Sequence, residues 1–286
     1  MCCLCWRLLT DETGFTCLLT LSFSLSLSLS LSLSRYDGDF YNNTNGCGLD
    51  ESGCGLMALY DVGMSSMFVQ ECYALANLST IIGRPDSLRE MLVKRGNAMA
   101  TLIKTHLWDE SQGNFVNKWS ANATFYPRIT PTSFYALQAH AASDAQADTM
   151  ATKWLLNSSR FCITKDGSYD GNSETCYWGL PSVQASDPAF PALGYWRGYI
   201  WGPMAQLTWW SLREYDHVAS VRTARKAMCK QLAGLMMSQY NEHRHICENY
   251  NPHRTADTSG GDCSGSKFYH WGALTGLIGL QEDGLW

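Results

Sequence analysis

The segment Gly194–Pro203 combines aromatic rings with one arginine, and these residue types could form a sugar-binding wall. Trp196, Tyr199 and Trp201 surround Arg197 in this short stretch. Flat aromatic faces cover the C–H faces of a pyranose, while guanidinium donors bind hydroxyls or a carboxylate. The segment therefore predicts one wall of a pocket, although simple core packing would also explain the rings.

Two carboxylates stand in loops that are far apart in the sequence. Asp50 precedes the first predicted helix, and Glu248 precedes the last one. Inverting glycoside hydrolysis needs two acids on opposite sides of one bond, with carboxyl groups about 6.5–9.5 Å apart to admit a water. A loop carboxylate is otherwise explained as a solvated or helix-capping residue. The sequence spacing by itself leaves both interpretations open.

Apolar periodicity predicts seven helices that would position these loops, namely three pairs and a single helix. The pairs are 63–82 with 85–107, 130–142 with 144–157 and 203–215 with 217–240, and the single helix is 268–280. Short turns within pairs and long loops between them are typical of helices stacked in a ring or superhelix. In a ring, the loops on one face converge on its centre, so distant acids can meet there. An α-solenoid would give the same number of helices with shorter, less aromatic loops.

The composition narrows the class of partner. The chain has 286 residues and a net charge of -5, and it contains no basic run, which argues against a nucleic-acid surface. Its 45% hydrophobic residues are ample for a core, yet no uninterrupted apolar stretch is long enough to span a bilayer. Charged residues make up only 16% while Trp and Tyr are abundant, which favours an aromatic-lined cavity.

Residues 1–34 differ from the rest of the chain. Leucine and serine alternate from Leu19 to Ser34, a pattern typical of low-complexity sequence rather than of a signal peptide. We interpret residues 1–34 as a leader that is disordered or a gene-model artefact, and residues 35–286 as one domain.

The cysteines and histidines do not predict a metal site. Of the twelve cysteines, the eight beyond the leader lack zinc-type spacing and are interpreted as structural or free thiols, with room for a few disulfides. His243 and His245 stand two residues apart without a third ligand nearby, so we expect them on the surface. We predict no metal and no organic cofactor. Sequons favour the secretory pathway, but the localisation stays open; they begin at Asn42, Asn77, Asn122 and Asn157.

Three motifs resemble those of glycoside hydrolases that have an (α/α)6 toroid. They are Tyr-Trp-Arg-Gly-Tyr-Ile-Trp at 195–201, Glu-Asn-Tyr-Asn-Pro at 248–252 and Tyr-His-Trp-Gly-Ala-Leu at 269–274. The resemblance covers about residues 36–282. It is to the group of mannosylglycerate hydrolases and the processing α-glucosidase of N-glycan precursors (glycoside hydrolase family 63-like), with trehalases as more distant relatives.

The resemblance implies an all-α, six-hairpin toroid and a set of site residues. A complete ring has twelve helices, so the seven predicted here imply only its C-terminal half to two-thirds. The exposed surface of a half-ring could then drive self-association. Asp50 matches the general acid and Glu248 the general base. The residues after Asp50 depart from the family pattern, which leaves Glu51 or Asp61 as alternative acids. The implied substrate-binding residues are Trp196, Arg197, Tyr199, Trp201, Tyr250, His270 and Trp271.

The function implied by this resemblance is an inverting α-glycosidase. Its substrate would be an α-linked glucoside or mannoside, such as mannosylglycerate or a short oligosaccharide. The alternative is a truncated, inactive remnant that acts as a carbohydrate-binding or structural module. Only the enzyme requires both acids to lie across one cavity.

Overall fold

Six α-helices carry the described part of the chain, which comprises residues 59–120, 122–161, 163, 179–252, 263 and 265–285 of a computed structural model. This confirms the all-α prediction. The helices are α1 Val62–Ile81, α2 Asp86–His106, α3 Asp144–Met150, α4 Gly202–Arg213, α5 Ala219–His243 and α6 His270–Glu282. Five of them lie within a few residues of predicted helices, whereas α3 ends well before the predicted residue 157 and continues as a π-helix, Ala151–Leu155.

Two small antiparallel sheets connect the helices. Strand β1 (Leu59–Tyr60) pairs with β4 (Lys118–Trp119), which joins the start of α1 to the segment after α2. Strand β2 (Trp108–Asp109) pairs with β3 (Asn114–Phe115) in a hairpin that directly follows α2. These strands are only two residues long, so the helices determine the packing.

Asp61 begins α1 and is fixed at both carboxylate oxygens. Oδ1 accepts the backbone N–H of Met64 at 2.7 Å, which is the bond expected of a helix N-cap. Oδ2 accepts the side-chain amide of Asn117 at 2.9 Å, and Asn117 Oδ1 in turn accepts the Val62 N–H at 2.8 Å. Asp61 is also buried. Its hydrogen bonds therefore hold the first turn of α1 to the segment before β4.

Replacing Asp61 by alanine should lower the free energy of unfolding by about 2–4 kcal/mol, because the cap is lost and the partly buried Asn117 amide loses its acceptor. Asp61→Asn is the matched variant, since it keeps an oxygen that can cap the helix. Urea unfolding should show a smaller loss for asparagine than for alanine. Equal losses would contradict the capping role.

Burial raises the pKa of Asp61 above its ordinary value, and this effect exceeds the lowering by its hydrogen bonds. The folded chain therefore binds this proton at a higher pH than the unfolded chain does. The stabilising contribution of the Asp61 carboxyl group is therefore present at low pH, and it is lost as the pH rises through the pKa that this group has in the folded chain. Relative to Asp61→Asn, the wild-type free energy of unfolding should increase as the pH falls from neutral towards about 4. If the wild-type free energy of unfolding instead decreased relative to Asp61→Asn as the pH falls, the pKa of Asp61 would be lowered by folding and not raised.

The predicted helix 130–142 is wrong. The chain forms a short 3-10 helix at Pro131–Ala136 and then a series of turns that ends at His140, whose φ is 52°. Every residue from 131 to 139 is buried, so packing against other parts of the chain on all sides determines the backbone conformation of this segment. Thr132, Ser133, Phe134 and Tyr135 are also weak helix formers, and the local helical preference is therefore easily overridden.

A buried arginine joins the last three helices. Arg225 of α5 pairs with Glu282 at the end of α6 and donates to Asp216 at 2.8 Å. Trp209 of α4 donates its indole N–H to the same Glu282 carboxylate at 2.9 Å. Because α4, α5 and α6 share these bonds, the C-terminal end of α6 is fixed and its first turn is directed to the loops described below.

Several expectations about the chain ends and surface remain predictions. No described residue lies within 1–34, so the proposed division at residue 34 is untested. Ile81 is 80% exposed and Ile82 is 58% exposed at the end of α1, but nothing in the described structure shows self-association. Within the described ranges, no helix combines the length and the apolar character needed to cross a bilayer.

Candidate active site

The loops before α4 and α6 lie side by side through isolated β-bridges. Ile200 and Tyr250 exchange two backbone hydrogen bonds, at 2.8 Å and 3.0 Å. Pro181 pairs with Ile200 from the other side, and Cys247 pairs with Lys267. Segments that are distant in sequence, including both motif loops, therefore meet in one patch.

Glu248 enters this patch because α5 ends in a sharp turn. Arg244 caps the helix with a φ of 56° and donates its N–H to the Tyr240 carbonyl, which redirects the chain towards the motif loops. The backbone N–H of Glu248 then donates to the Ser266 carbonyl at 2.9 Å. This backbone hydrogen bond positions Glu248, the predicted base, independently of its side-chain contacts.

The Glu248 carboxylate accepts a hydrogen bond at each oxygen. Tyr195 donates its hydroxyl to Oε1 at 2.6 Å, and the Ser266 backbone N–H donates to Oε2 at 3.2 Å. A carboxylate oxygen has two lone-pair sites, so each oxygen retains one for a further donor such as water. The side chain is partly buried. Glu248 is therefore oriented by two donors and still able to accept a proton.

Tyr195 reaches Glu248 from a tight turn with an unusual backbone. The Arg197 N–H donates to the Gly194 carbonyl at 2.5 Å, and Tyr195 inside this turn has a φ of 22°. A positive φ costs a bulky residue of order 1–3 kcal/mol and persists only where the surroundings impose it. The Trp201 indole N–H supplies part of that constraint by donating to the Tyr195 carbonyl at 3.0 Å.

Four aromatic rings form a continuous cluster beside Glu248. Trp196 stacks on Trp201 with centroids 3.7 Å apart and 15° between the planes. Tyr195 packs edge-on against Trp201 at 4.7 Å, and Trp271 lies 6.0 Å from it. Trp201 is completely buried and Trp196 partly so. Trp201 is therefore the central packing residue, and Trp196 and Trp271 remain near the surface.

Two glycines allow the helix starts to approach each other closely. A Cβ at Gly202, the first residue of α4, would overlap the carbonyl oxygen of Trp271. A Cβ at Gly272, in the first turn of α6, would overlap the carbonyl oxygen of Cys247. The two motif loops can therefore meet only with glycine at these positions, and this contact places Trp271 against Trp201.

Arg197 and Tyr199 lie in the same loop but outside the ring cluster. The Arg197 guanidinium folds over Gly194, and its Nε is buried without a hydrogen-bond partner in the described structure. Tyr199 is partly buried, and its carbonyl accepts the Ser182 N–H at 3.0 Å. The Arg197 side chain as a whole is partly buried, and the backbone of Tyr199 fixes the loop.

Tyr250 and His270 occupy different environments. Tyr250 is completely buried, with its hydroxyl 3.3 Å from the Gly272 carbonyl and 3.4 Å from the Cys247 N–H. Burial raises the pKa of the Tyr250 hydroxyl, which therefore stays protonated. His270 begins α6, is exposed and stacks on Tyr269 at 5.2 Å. Tyr250 supports the loops from within, whereas His270 is accessible to a ligand.

The described residues reveal supports that the sequence did not predict. Cys247, next to Glu248, forms a disulfide with Cys263, while Cys72 and Cys229 are free and buried. The sequence likewise gives no signal for the Ser266 N–H that donates to Glu248. The one available signal was the position of Cys247 beside the predicted base, but spacing alone does not identify its partner.

The acid of the predicted pair is not located by the structure. Asp50 and Glu51 lie outside the described residues, so their distance to Glu248 is untested. Asp61, the third candidate, has both carboxylate oxygens engaged in capping α1. These contacts indicate a structural role for Asp61 at the start of α1.

A known protein family matches most of the chain. The family model described as "Mannosylglycerate hydrolase MGH1-like glycoside hydrolase domain" matches residues 5–272. The chain belongs to this family. It therefore carries a glycoside hydrolase domain, and the predicted family resemblance is confirmed. No curated protein matches the chain.

Solved structures agree on the fold. The GH63 mannosylglycerate hydrolase from Thermus thermophilus, in complex with Tris, is similar with a TM-score of 0.54 and 20% identity, over 77% of this chain and 45% of that one. Neutral trehalase Nth1 from Saccharomyces cerevisiae gives 0.57 and 18%, over 79% of this chain and 38% of that one. A sialidase gives 0.60 and 14%, over 90% and 24%. The (α/α) toroid fold is confirmed, and the chain spans less than half the length of these proteins.

Proposed function

We propose that this domain hydrolyses an α-linked glucoside or mannoside with inversion at the anomeric carbon. Glu248 would act as the general base and Asp50 as the general acid. The observation that carries the proposal is the setting of Glu248, whose carboxylate is oriented by Tyr195 and Ser266 beside the aromatic cluster. Membership of a glycoside hydrolase family supports it independently.

The reaction moves two protons and exchanges one bond. Glu248 takes a proton from a water while that water's oxygen bonds to the anomeric carbon. The bond from this carbon to the glycosidic oxygen breaks on the opposite face, and Asp50 gives its proton to the departing oxygen. The attack from the opposite face inverts the anomeric configuration.

The aromatic cluster and Arg197 would hold the sugar. Trp196 and Trp271 are partly exposed rings that can cover the apolar face of a pyranose, while buried Trp201 keeps both in place. Arg197 is partly exposed, and its guanidinium can bind a hydroxyl or a carboxylate on the leaving group. Exposed His270 adds a polar group at the start of α6. A carbohydrate is therefore the ligand class that these side chains fit.

The proposal is tested on the full chain with mannosylglycerate, glucosylglycerate, trehalose and a glucose-capped oligosaccharide. Proton NMR of the first turnovers should show the β-anomer of the released sugar. Release of the α-anomer from mannosylglycerate or glucosylglycerate would overturn inversion, whereas inverting hydrolysis of trehalose releases one glucose of each anomer. Calorimetric binding without cleavage of any compound would overturn the enzyme and favour the non-catalytic carbohydrate-binding module.

Removing the Tyr195 hydroxyl should impair the base without unfolding the protein. Tyr195→Phe loses one hydrogen bond to a charged carboxylate, an interaction worth about 1.5–3 kcal/mol, so kcat should fall roughly 10- to 100-fold. The ring and its packing on Trp201 are retained, and KM should change little. Steady-state kinetics on a cleaved substrate measures both constants.

Tyr240→Phe is the matched control, because Tyr240 is an exposed tyrosine on α5. It should retain wild-type kcat. An equal loss in both variants, or no loss in Tyr195→Phe, would show that the 2.6 Å contact does not orient the base.

A further inference from the structure

Three potential metal ligands converge directly beside Glu248. The ring nitrogen of His245 and the sulfurs of Cys247 and Cys263 lie within 4.8 Å of one another. His245 is buried, contrary to the predicted surface position, because the turn at Arg244 directs it inward. The disulfide accounts for the two sulfurs, but neither it nor the proposed hydrolysis uses His245, so the position of this buried imidazole needs a separate explanation.

His245 is held in the orientation that metal-binding histidines adopt. Its Nδ1 lies 2.9 Å from the His243 carbonyl oxygen, a contact that requires a proton on Nδ1. In the neutral ring the lone pair is then on Nε2, which is free to bind a metal. Metal-ligating histidines usually donate their other N–H to a carbonyl or carboxylate in this way. His245 is therefore already oriented by its partner.

Gln239 of α5 provides a second, independent observation. Its side chain is 1% exposed, and its Oε1 has no hydrogen-bond partner in the described structure. Its amide lies 3.4 Å from His245 Nε2 and 3.8 Å from Cys263 Sγ. Oxygen and nitrogen of an amide exchange places on rotation by about 180°. After that rotation, the carbonyl oxygen of Gln239 points between the histidine and the cysteine.

We propose that His245, Cys247 and Cys263 bind one Zn²⁺ ion when the disulfide is reduced, with the Gln239 carbonyl oxygen as the fourth ligand. Two thiolates and an imidazole in a tetrahedral set are the donors that Zn²⁺ prefers. Zn–S bonds of about 2.3 Å place two sulfurs about 3.8 Å apart, which requires only a small separation of the cysteines. Their Cα atoms are 5.2 Å apart in the disulfide.

Reduction and metal binding balance in two steps. A dithiol reductant breaks the Cys247–Cys263 bond by supplying two electrons and two protons, and it closes to a cyclic disulfide. Zn²⁺ then replaces the two thiol protons, which are released to water. The metal and the disulfide are therefore alternative links between the same two segments. Either link keeps Glu248 next to the Ser266 N–H.

The test uses the full chain, reduced with dithiothreitol, desalted without oxygen and titrated with Co²⁺ and then Zn²⁺. Reduced wild type should show the near-ultraviolet thiolate-to-cobalt band and lose it as Zn²⁺ replaces Co²⁺. His245→Ala should bind Zn²⁺ at least about tenfold more weakly. His243→Ala, which alters the exposed neighbouring ring, should match wild type. Equal affinity of His245→Ala and wild type, or equal binding by the oxidised chain, overturns the site.

Two further measurements test whether His245→Ala binds Zn²⁺ weakly because it is misfolded, and whether Zn²⁺ binds to other cysteines. His245→Ala should still form the Cys247–Cys263 disulfide when oxidised, as peptide mapping would show, because the imidazole takes no part in that bond. The chain has twelve cysteines, so X-ray absorption on the zinc-loaded wild type identifies the ligands without any variant. Two sulfurs with one imidazole and one oxygen support the site, whereas four sulfurs overturn it.

Discussion

Glu248→Gln is expected to lower kcat by roughly 10²- to 10⁴-fold, because glutamine cannot take the proton of the attacking water. The substitution preserves size and leaves an oxygen that can accept the Tyr195 hydroxyl. Sugar binding does not need the charge, so KM should change far less than kcat. Steady-state kinetics on the best substrate of the panel measures both constants, and near-ultraviolet circular dichroism checks the fold.

Glu242→Gln provides the control for the loss of one negative charge. Glu242 lies on the exposed last turn of α5, six residues before the proposed base. Its variant should retain wild-type kinetics. If Glu248→Gln hydrolyses the substrate as fast as the parent while remaining folded, Glu248 is not the base.

Trp201→Ala is expected to lower the free energy of unfolding by about 3–5 kcal/mol, the usual loss for truncating a completely buried tryptophan. Trp201 is 0% exposed, and its ring contacts those of Trp196, Tyr195 and Trp271. The variant also loses the indole N–H that holds the Tyr195 carbonyl. Urea unfolding measures the change, and hydrolysis should fall with it because the turn that presents Tyr195 is released.

Two other variants separate the causes of that loss. Trp210→Ala changes a tryptophan on the following helix α4 that is 45% exposed, and it should cost less than about 1 kcal/mol. Trp201→Phe keeps an aromatic ring but removes the N–H, so it should fall between the two. Similar losses for Trp201→Ala and Trp210→Ala would show that the ring cluster does not stabilise the fold.

The helices were predictable where local signals agreed with packing. Gly83 ends α1 with a φ of 66°, and Pro85 caps α2, so both boundaries follow from backbone preferences that act within a few residues. The segment 130–142 failed because its buried surroundings override those preferences. A pattern of apolar residues cannot show that all sides of a short segment are covered.

The candidate site was predictable only in part. The residue types around Arg197 and the motif of Glu248 are visible in the sequence, and the structure does bring the two loops together. The bond from Tyr195 to Glu248 joins positions 53 residues apart and depends on a turn with positive φ. His245 became buried through a single left-handed residue at the end of α5. Neither feature has a periodic or compositional signal.

The Cys247–Cys263 disulfide also determines what a single backbone cut could release from the protein. Glu248 lies between these cysteines, which are 16 residues apart in the sequence, while its donor Ser266 lies beyond them. A protease that cuts one bond after Asn251 and before Cys263 would leave the two pieces joined through sulfur. The base and its backbone donor would stay in one molecule, and only reduction would break the covalent link to α6.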